Sequence, residues 1–193
     1  MTANMWPAIS SRRRAPLLAA ALIAVIALAG YARTFPVPWL LDDVSAVAGN
    51  PSLQNWSTAL HPPADSTLGG RPFANLTFAL NHALGGETVA GYHAVNLAIH
   101  IAAGLTLFGI VRRTLRPRID VSRPVTPRAG GIGPGDATGV ALASAALWIG
   151  HPLLTASVTY VSQRTECLMG LCYLVTLYSF IRGAADGRTR GWL

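Results

Sequence analysis

The chain has 193 residues, 51% of them hydrophobic and 12% charged, where a soluble domain usually carries about 25% charge. That composition excludes a disordered chain, which would be polar and charge-rich, and it suits a protein that spends its length on membrane spans of about 20 residues each. The net charge is +7 and every basic residue is Arg, so the placement of the arginines carries the information.

The first apolar run, 15–32, follows Arg12, Arg13 and Arg14 at the end of a short N-terminal tail, 1–14. A basic start and small residues at Ala27, Ala29 and Ala32 also fit a secretory signal peptide; three further apolar runs favour a retained transmembrane helix. The segment 33–87 is the large hydrophilic region, too long for an idle connector. Trp39, Leu40, Leu41 and Trp56 suit a membrane interface. Asp42 and Asp43 are adjacent carboxylates with three uses open to them. One could act as a general base toward an acceptor hydroxyl, the pair could bind a divalent cation such as Mg or Mn, or they could cap a following helix. Within the same segment, 71–84 reads as an amphipathic helix. Pro72 suits its first turn, Phe73, Leu76, Leu80 and Leu84 recur at helical spacing, and Gly85-Gly86 ends it. It is expected on the outer membrane surface or against the helix ends.

The second run, 88–111, carries His93, Asn96 and His100 on one helical face. Polar groups in a span face other helices or a water-filled cavity, so they either bond between helices or line a substrate site. A basic linker, 112–136, follows; its glycines match no phosphate-cradling loop and read as a flexible connection. The third run, 137–151, presents Gly139, Ala143, Ala146 and Gly150 as a small-residue face for close helix packing. His151-Pro152 interrupts it, and 152–166 forms a second external loop, with an interfacial helix over 153–161 as the alternative. In that loop Arg164 is either a partner for phosphate or half of an ion pair with Glu166. The fourth run, 167–181, is short, about 22 Å of helix, and needs residues before Glu166 or a snorkelling Arg182 to cross a bilayer. A tail, 182–193, ends the chain. Cys167 and Cys172 read as small apolar fillers, without disulfide or metal spacing.

With the N-terminus cytoplasmic, twelve arginines and three acids fall on one side of four spans, and three arginines and five acids on the other. This is a positive-inside pattern with both termini cytoplasmic. It accounts for the basic linker as an orientation signal beside lipid headgroups and leaves no role for nucleic acid. The lack of Lys suits a GC-rich bacterial genome, hence a multi-pass protein of the bacterial inner (plasma) membrane. The fold class is all-α: about four transmembrane helices and a structured external loop holding an interfacial helix.

Several short stretches then share an order. They are Leu41-Asp-Asp-Val44 with Asn50-Pro51 and Trp56; Arg71-Pro72; Asn81-His-Ala-Leu-Gly-Gly86; Tyr92-His-Ala-Val-Asn-Leu-Ala-Ile-His100; His151-Pro152; and Val161-Ser-Gln-Arg-Thr-Glu166. Together they resemble the N-terminal membrane region of the transmembrane and tetratricopeptide-repeat O-mannosyltransferases and their bacterial relatives, which are GT-C glycosyltransferases. The resemblance covers roughly 39–182 and implies a partial GT-C fold. It implies sugar transfer from a polyprenyl-phosphate donor to an acceptor hydroxyl, on a protein or a glycan, at the external membrane face. By that resemblance Asp42 or Asp43 would activate the acceptor, directly or through a metal, and Arg164 would meet the donor phosphate. Arg71 is a second candidate for that phosphate, and His93, Asn96 and Glu166 are further substrate-site candidates. Two departures stand out. The family's His-Pro-x-x-Thr-Glu reads Thr155-Ala156 at its end here, and no 34-residue repeat is visible. The resemblance therefore implies either the front part of such an enzyme, with a second polypeptide supplying further spans, or a non-catalytic four-span remnant or accessory subunit of the same fold.

Overall fold

The computed structural model describes residues 7–115 and 134–185; the Gly-rich part of the expected linker before Pro134 and the tail after Ala185 lie outside them. Every regular element among the described residues is helical. Four long helices, α1 (Pro7–Gly30), α4 (Val89–Leu115), α5 (Pro134–Ile149) and α7 (Arg164–Ala185), pack as a bundle. Short helices α2 (Trp56–Ala59), α3 (Pro72–Gly85) and α6 (Thr155–Thr159) belong to the two connecting segments at one end.

Contacts at both ends fix the direction of each long helix. Tyr31, one residue past α1, donates to Ile149 O at the end of α5 (3.5 Å), and His93 near the start of α4 reaches Val158 O, just ahead of α7 (3.2 Å). At the opposite end Arg112 Nε donates to Thr138 Oγ1 of α5 (3.4 Å), and Arg113 Nε donates to Tyr178 OH of α7 (3.2 Å). The bundle therefore alternates up, down, up, down, and both connecting segments fold over one end, the loop face.

The bundle interior is lined by small residues. Ala19, Ile23 and Ala27 of α1 meet Ala141, Ala145 and Ile149 of α5 and Leu97 and Phe108 of α4. Gly104 and Gly109 let α4 approach its neighbours. A methyl group at Gly104 would stand 2.8 Å from Ile149 Cδ1, and one at Gly109 would stand 2.9 Å from the Tyr178 ring. The expected packing face of α5 is corrected here. The buried row is Ala137, Ala141, Ala145 and Ile149, whereas Gly139, Ala143 and Gly150 are exposed. Both rows have helical spacing, and the larger Ile149, filling the space beside Gly104, selects between them.

Among the described residues two helices, α4 and α7, are long and apolar enough to cross a membrane; α5 and the segment after it become a third only if their 56° bend counts as one broken span. That bend lies at His151-Pro152, where the residue before Pro is pushed out of the helical region and His151 Nδ1 accepts the Leu153 N–H instead. Over Arg14–Gly30, α1 provides a shorter apolar stretch. Helix α7 begins at Arg164 and is 22 residues long, about 33 Å, which removes the shortfall of the run 167–181.

The segment between α1 and α4 has its own small core, with Ala46, Leu53, Leu68, Phe78, Tyr92 and Val161 among its buried members. Helix α3 starts at Pro72 and ends before Gly86, whose φ of +60° suits glycine. Its inward face is mixed, with Asn75 and Asn81 buried beside Ala74, Phe78 and Ala79, while Phe73, Leu80 and Leu84 are exposed. Of the aromatic residues expected at an interface, Trp56 is exposed, but Trp39 turns inward and packs edge-on against Tyr92 at 5.0 Å.

Candidate functional site

The loop face is organised around the first turn of α7. The segment leading into it is met by a carboxylate from far away in sequence. Asp43 is fully buried. Its Oδ1 accepts the Ser162 N–H (2.7 Å), and its Oδ2 accepts the N–H groups of Val161 (3.2 Å) and Leu40 (3.2 Å). Asp43 thus makes no side-chain cap for the turn that follows it; it holds the second connecting segment to the first.

Asp42 points the other way and is exposed. Leu41 before it is held at φ +41°, a left-handed conformation that non-glycine residues rarely adopt. This turn separates the two carboxylates into one that is fixed and one that is free. Tyr160 lies beside them: its phenol is pushed up from its ordinary value, first by desolvation and then by the Asp42 and Asp43 carboxylates. Three backbone N–H groups occupy the oxygens of Asp43, whereas the carboxylate of Asp42 is exposed. Among the described residues no group of three or more metal-binding side chains comes together.

Arg164 is the other buried charge. Its Nε donates to Asn96 Oδ1 (2.7 Å), Nη1 to Thr77 O (3.2 Å), and Nη2 to Asn81 Oδ1 (2.8 Å) and Tyr92 O (3.1 Å). The guanidinium also lies 4.2 Å from the centre of the Phe78 ring, a favourable cation–π position. Arg164 has no exposed surface, so in this arrangement it ties α3, α4 and α7 together and offers nothing to a donor phosphate. Nor does it pair with Glu166, which faces Arg71 at 3.9 Å.

His93, Asn96 and His100 share one face, as their spacing predicts, and all three are buried. His93 Nε2 lies 3.1 Å from Val37 O and its Nδ1 3.2 Å from Val158 O. Asn96 Nδ2 donates to Tyr160 O and Val161 O (both 3.2 Å), and His100 Nε2 reaches Ile149 O (3.1 Å). Of the two readings the spacing left open, this geometry is the interhelical one. These groups hold carbonyls of both connecting segments and of the end of α5.

Arg71 is placed differently. Its side chain is half exposed, as is that of Glu166, and its Nη1 also lies 3.4 Å from Thr165 Oγ1 and from Thr67 O. A surface pair of this kind contributes about 0–1 kcal/mol, so the guanidinium is free to change partners. Below it opens a groove of about 390 Å³ between α3 and α7, with Phe73, Leu168, Met169 and Cys172 as its apolar floor and Arg71, Thr165 and Glu166 at its polar mouth. Sequence reasoning missed Thr165, Tyr160 and the groove, since each depends on which turn of α7 meets which loop. It also missed the polar cradle of Asn50, Asn75 and Ser52, in which Asn50 Nδ2 donates to Asn75 Oδ1 (3.1 Å) and Asn75 Nδ2 donates to Ser52 Oγ (2.9 Å). The visible signal was a pair of asparagines in α3 opposite its apolar stripe, a pattern that ordinarily marks a solvated face.

Comparison with known proteins follows the same outline. The chain is 30% identical over 166 residues to protein O-mannosyl-transferase Tmtc1 of Drosophila melanogaster, covering 79% of this chain and 17% of that protein. It is 27% identical over 169 residues to Tmtc3 of the same organism, covering 80% and 18%. With human TMTC1 it is 28% identical over 197 residues, covering 94% and 20%. No family model and no solved structure matches. The chain spans about a fifth of the length of these curated relatives. Its apolar helices suit a membrane protein, and its sequence relates it to the transmembrane and tetratricopeptide-repeat O-mannosyltransferase family.

Proposed function

We propose that the chain is the membrane-embedded front part of a glycosyltransferase that moves a sugar from a polyprenyl-phosphate donor to an acceptor hydroxyl, on a protein Ser or Thr or on a glycan. In this reading α1, α4, α5 and α7 give four spans of a bacterial plasma-membrane protein, with the loop face outside and both termini cytoplasmic. The observation that carries it is the groove below Arg71. Its polar mouth, where Arg71 is held only by a half-exposed pair with Glu166, over an apolar floor that continues down α7 suits a phosphate head with a hydrocarbon tail. Arg71, freed from Glu166, pairs with the donor phosphate. Asp42, the exposed member of the acidic pair, takes the acceptor proton as general base. The acceptor oxygen bonds to the anomeric carbon, the bond from that carbon to the phosphate oxygen breaks, and polyprenyl phosphate leaves with the electron pair. Asp43 and Arg164 position these groups without touching substrate.

The test is transfer of labelled mannose from polyprenyl-phosphate mannose in proteoliposomes containing the chain. Transfer that is lost in Asp42→Asn while folding is retained supports the reading; full activity in Asp42→Asn removes Asp42 from it. Thr155-Ala156, standing where the resemblance expects Thr-Glu, favours a second reading, a non-catalytic remnant or accessory subunit of the same fold. That reading predicts Arg71-dependent binding of polyprenyl phosphate with no transfer by the chain alone.

A further inference from the structure

The polar cradle of Asn50 takes no part in the proposed chemistry, yet it braces a second cavity. Asn50 is buried and fully engaged. Its Nδ2 donates to Ala46 O (3.0 Å) and Asn75 Oδ1 (3.1 Å), and its Oδ1 accepts the N–H (3.0 Å) and the hydroxyl (2.7 Å) of Ser52. It lines a cavity of about 310 Å³ between residues 45–51 and 63–66, at the small end of the range for ligand sites, about 300–1,000 Å³. Both walls are stiff. Pro51 and Pro63 have φ fixed by their rings. Ser66 Oγ donates to Pro63 O (2.8 Å), and the Gly69 N–H donates to Ser66 O (2.9 Å). That turn is wound so closely that a methyl group at Gly69 would stand 2.6 Å from Ala64 O. On the other wall the Gly49 N–H donates to Val44 O (2.6 Å). The cavity is therefore preformed.

Its chemistry is one-sided. Asp65 is the charged group of the lining, Ser45 and Ser66 add hydroxyls, and neither a basic group nor an aromatic ring is among them. Asp65 is exposed and, among the described residues, makes no hydrogen bond or ion pair. The cavity also adjoins the acidic turn. Ser45 Oγ donates to Asp42 O (3.2 Å), and three residues of helix advance only about 4.5 Å. The cavity wall thus begins one turn from the carboxylate assigned the acceptor proton. An unpaired carboxylate in a preformed cavity suits a cation that donates hydrogen bonds, and a volume of this size admits one long side chain.

We propose that this cavity is an acceptor subsite that takes a basic side chain, Arg or Lys, of a polypeptide whose Ser or Thr hydroxyl lies at Asp42. An extended chain advances about 3.3 Å per residue, so the basic residue stands within about two residues of the hydroxyl. The subsite rests on the proposed role of Asp42 as base. It selects a polypeptide acceptor, because a neutral glycan brings no cation to Asp65 and finds no ring in the lining to stack on.

The test measures binding, which needs no sugar transfer. The full chain in phosphatidylcholine nanodiscs, whose zwitterionic surface has little pull on basic peptides, is titrated with dye-labelled, Ala-rich peptides and read by fluorescence anisotropy. Each peptide has one Thr, flanked two residues away on both sides by Arg, Ala or Glu. The Arg peptide should bind about five- to tenfold tighter than the Ala peptide, as a hydrogen bond to a charged group allows, and the Glu peptide weaker than either. Asp65→Asn should abolish the preference and Asp65→Lys should invert it, both with the thermal midpoint of the parent. Glu87→Gln, at an exposed acid outside the cavity, should leave it intact. Equal binding of the Arg and Ala peptides, or no binding of either, would overturn the proposal. So would a preference that survives Asp65→Asn or falls equally in Glu87→Gln. The mannose-transfer assay reports separately on the proposed function. Arg preference without transfer keeps the subsite and removes catalysis by the chain alone; transfer without the preference does the reverse.

Discussion

Asp43 Oδ1 accepts the Ser162 N–H at 2.7 Å, joining residues 119 positions apart. With two further N–H groups on Oδ2, this carboxylate is the link between the first and second connecting segments. Charge-assisted bonds of this kind are about twice as strong as neutral ones, and a lost partner strands each buried donor at about 1–3 kcal/mol. Asp43→Ala should lower the stability of the detergent-solubilised protein by about 3 kcal/mol or more, read as a fall in thermal midpoint. Asp42→Ala should stay within about 0.5 kcal/mol of the parent. Equal effects of the two would refute the division of labour within the pair.

Arg164 makes a parallel case with a sharper chemical control. Its planar fork reaches four acceptors on α3 and α4, a geometry that a single ammonium cannot reproduce. Arg164→Lys should keep the charge yet lose about 3 kcal/mol, measured by denaturant titration in micelles. Wild-type stability in that variant would show that charge alone matters at this position.

Contact between α4 and α7 rests on Gly109, where a methyl group would meet the Tyr178 ring at 2.9 Å. Gly109→Val should destabilise by about 1–3 kcal/mol through overpacking. Adding Tyr178→Ala should recover part of that loss, because the obstructing ring is gone. A double-mutant cycle of thermal midpoints checks this; simple additivity would count against the contact.

Leu41 is the strained residue of the acidic turn, with φ at +41° and its side chain 82% exposed. Left-handed backbone costs a non-glycine residue roughly 1–2 kcal/mol. Leu41→Gly should therefore raise stability by up to about 1 kcal/mol, and Leu41→Val, β-branched and stiffer, should lower it. Both are measurable by the same melting experiment.

Much of this was legible in the sequence where a local rule applied. Pro72 and Gly85-Gly86 bracket α3, His151-Pro152 marks the bend, and His93, Asn96 and His100 share a face because helical geometry requires it. What was not legible depends on distant partners. Nothing near Asp42 and Asp43 reveals that one of them bonds to residues 161 and 162, and nothing near Arg164 reveals a cradle on α3 and α4. The side of α3 that turns inward was readable only in part. Its exposed apolar stripe is evident, but the burial of Asn75 and Asn81 beside Phe78 depends on partners elsewhere in the chain, Asn50 for one and Arg164 for the other. The same holds for α5, where two small-residue rows compete and only the position of Ile149 against Gly104 decides.

The cradle around Arg164 also has a consequence for biosynthesis. Asn81 and Asn96 emerge from the ribosome 83 and 68 residues before the arginine that satisfies them, and Asp43 precedes its partners at 161 and 162 by 118 and 119. Until α7 is made, the first connecting segment carries polar groups shaped for a guest that has not arrived. Those groups must stay hydrated or find temporary partners, so the loop face can close only after α7 is inserted. A chain stalled before residue 164 would leave an open, protease-sensitive loop, and completion of α7 would be the step that seals it.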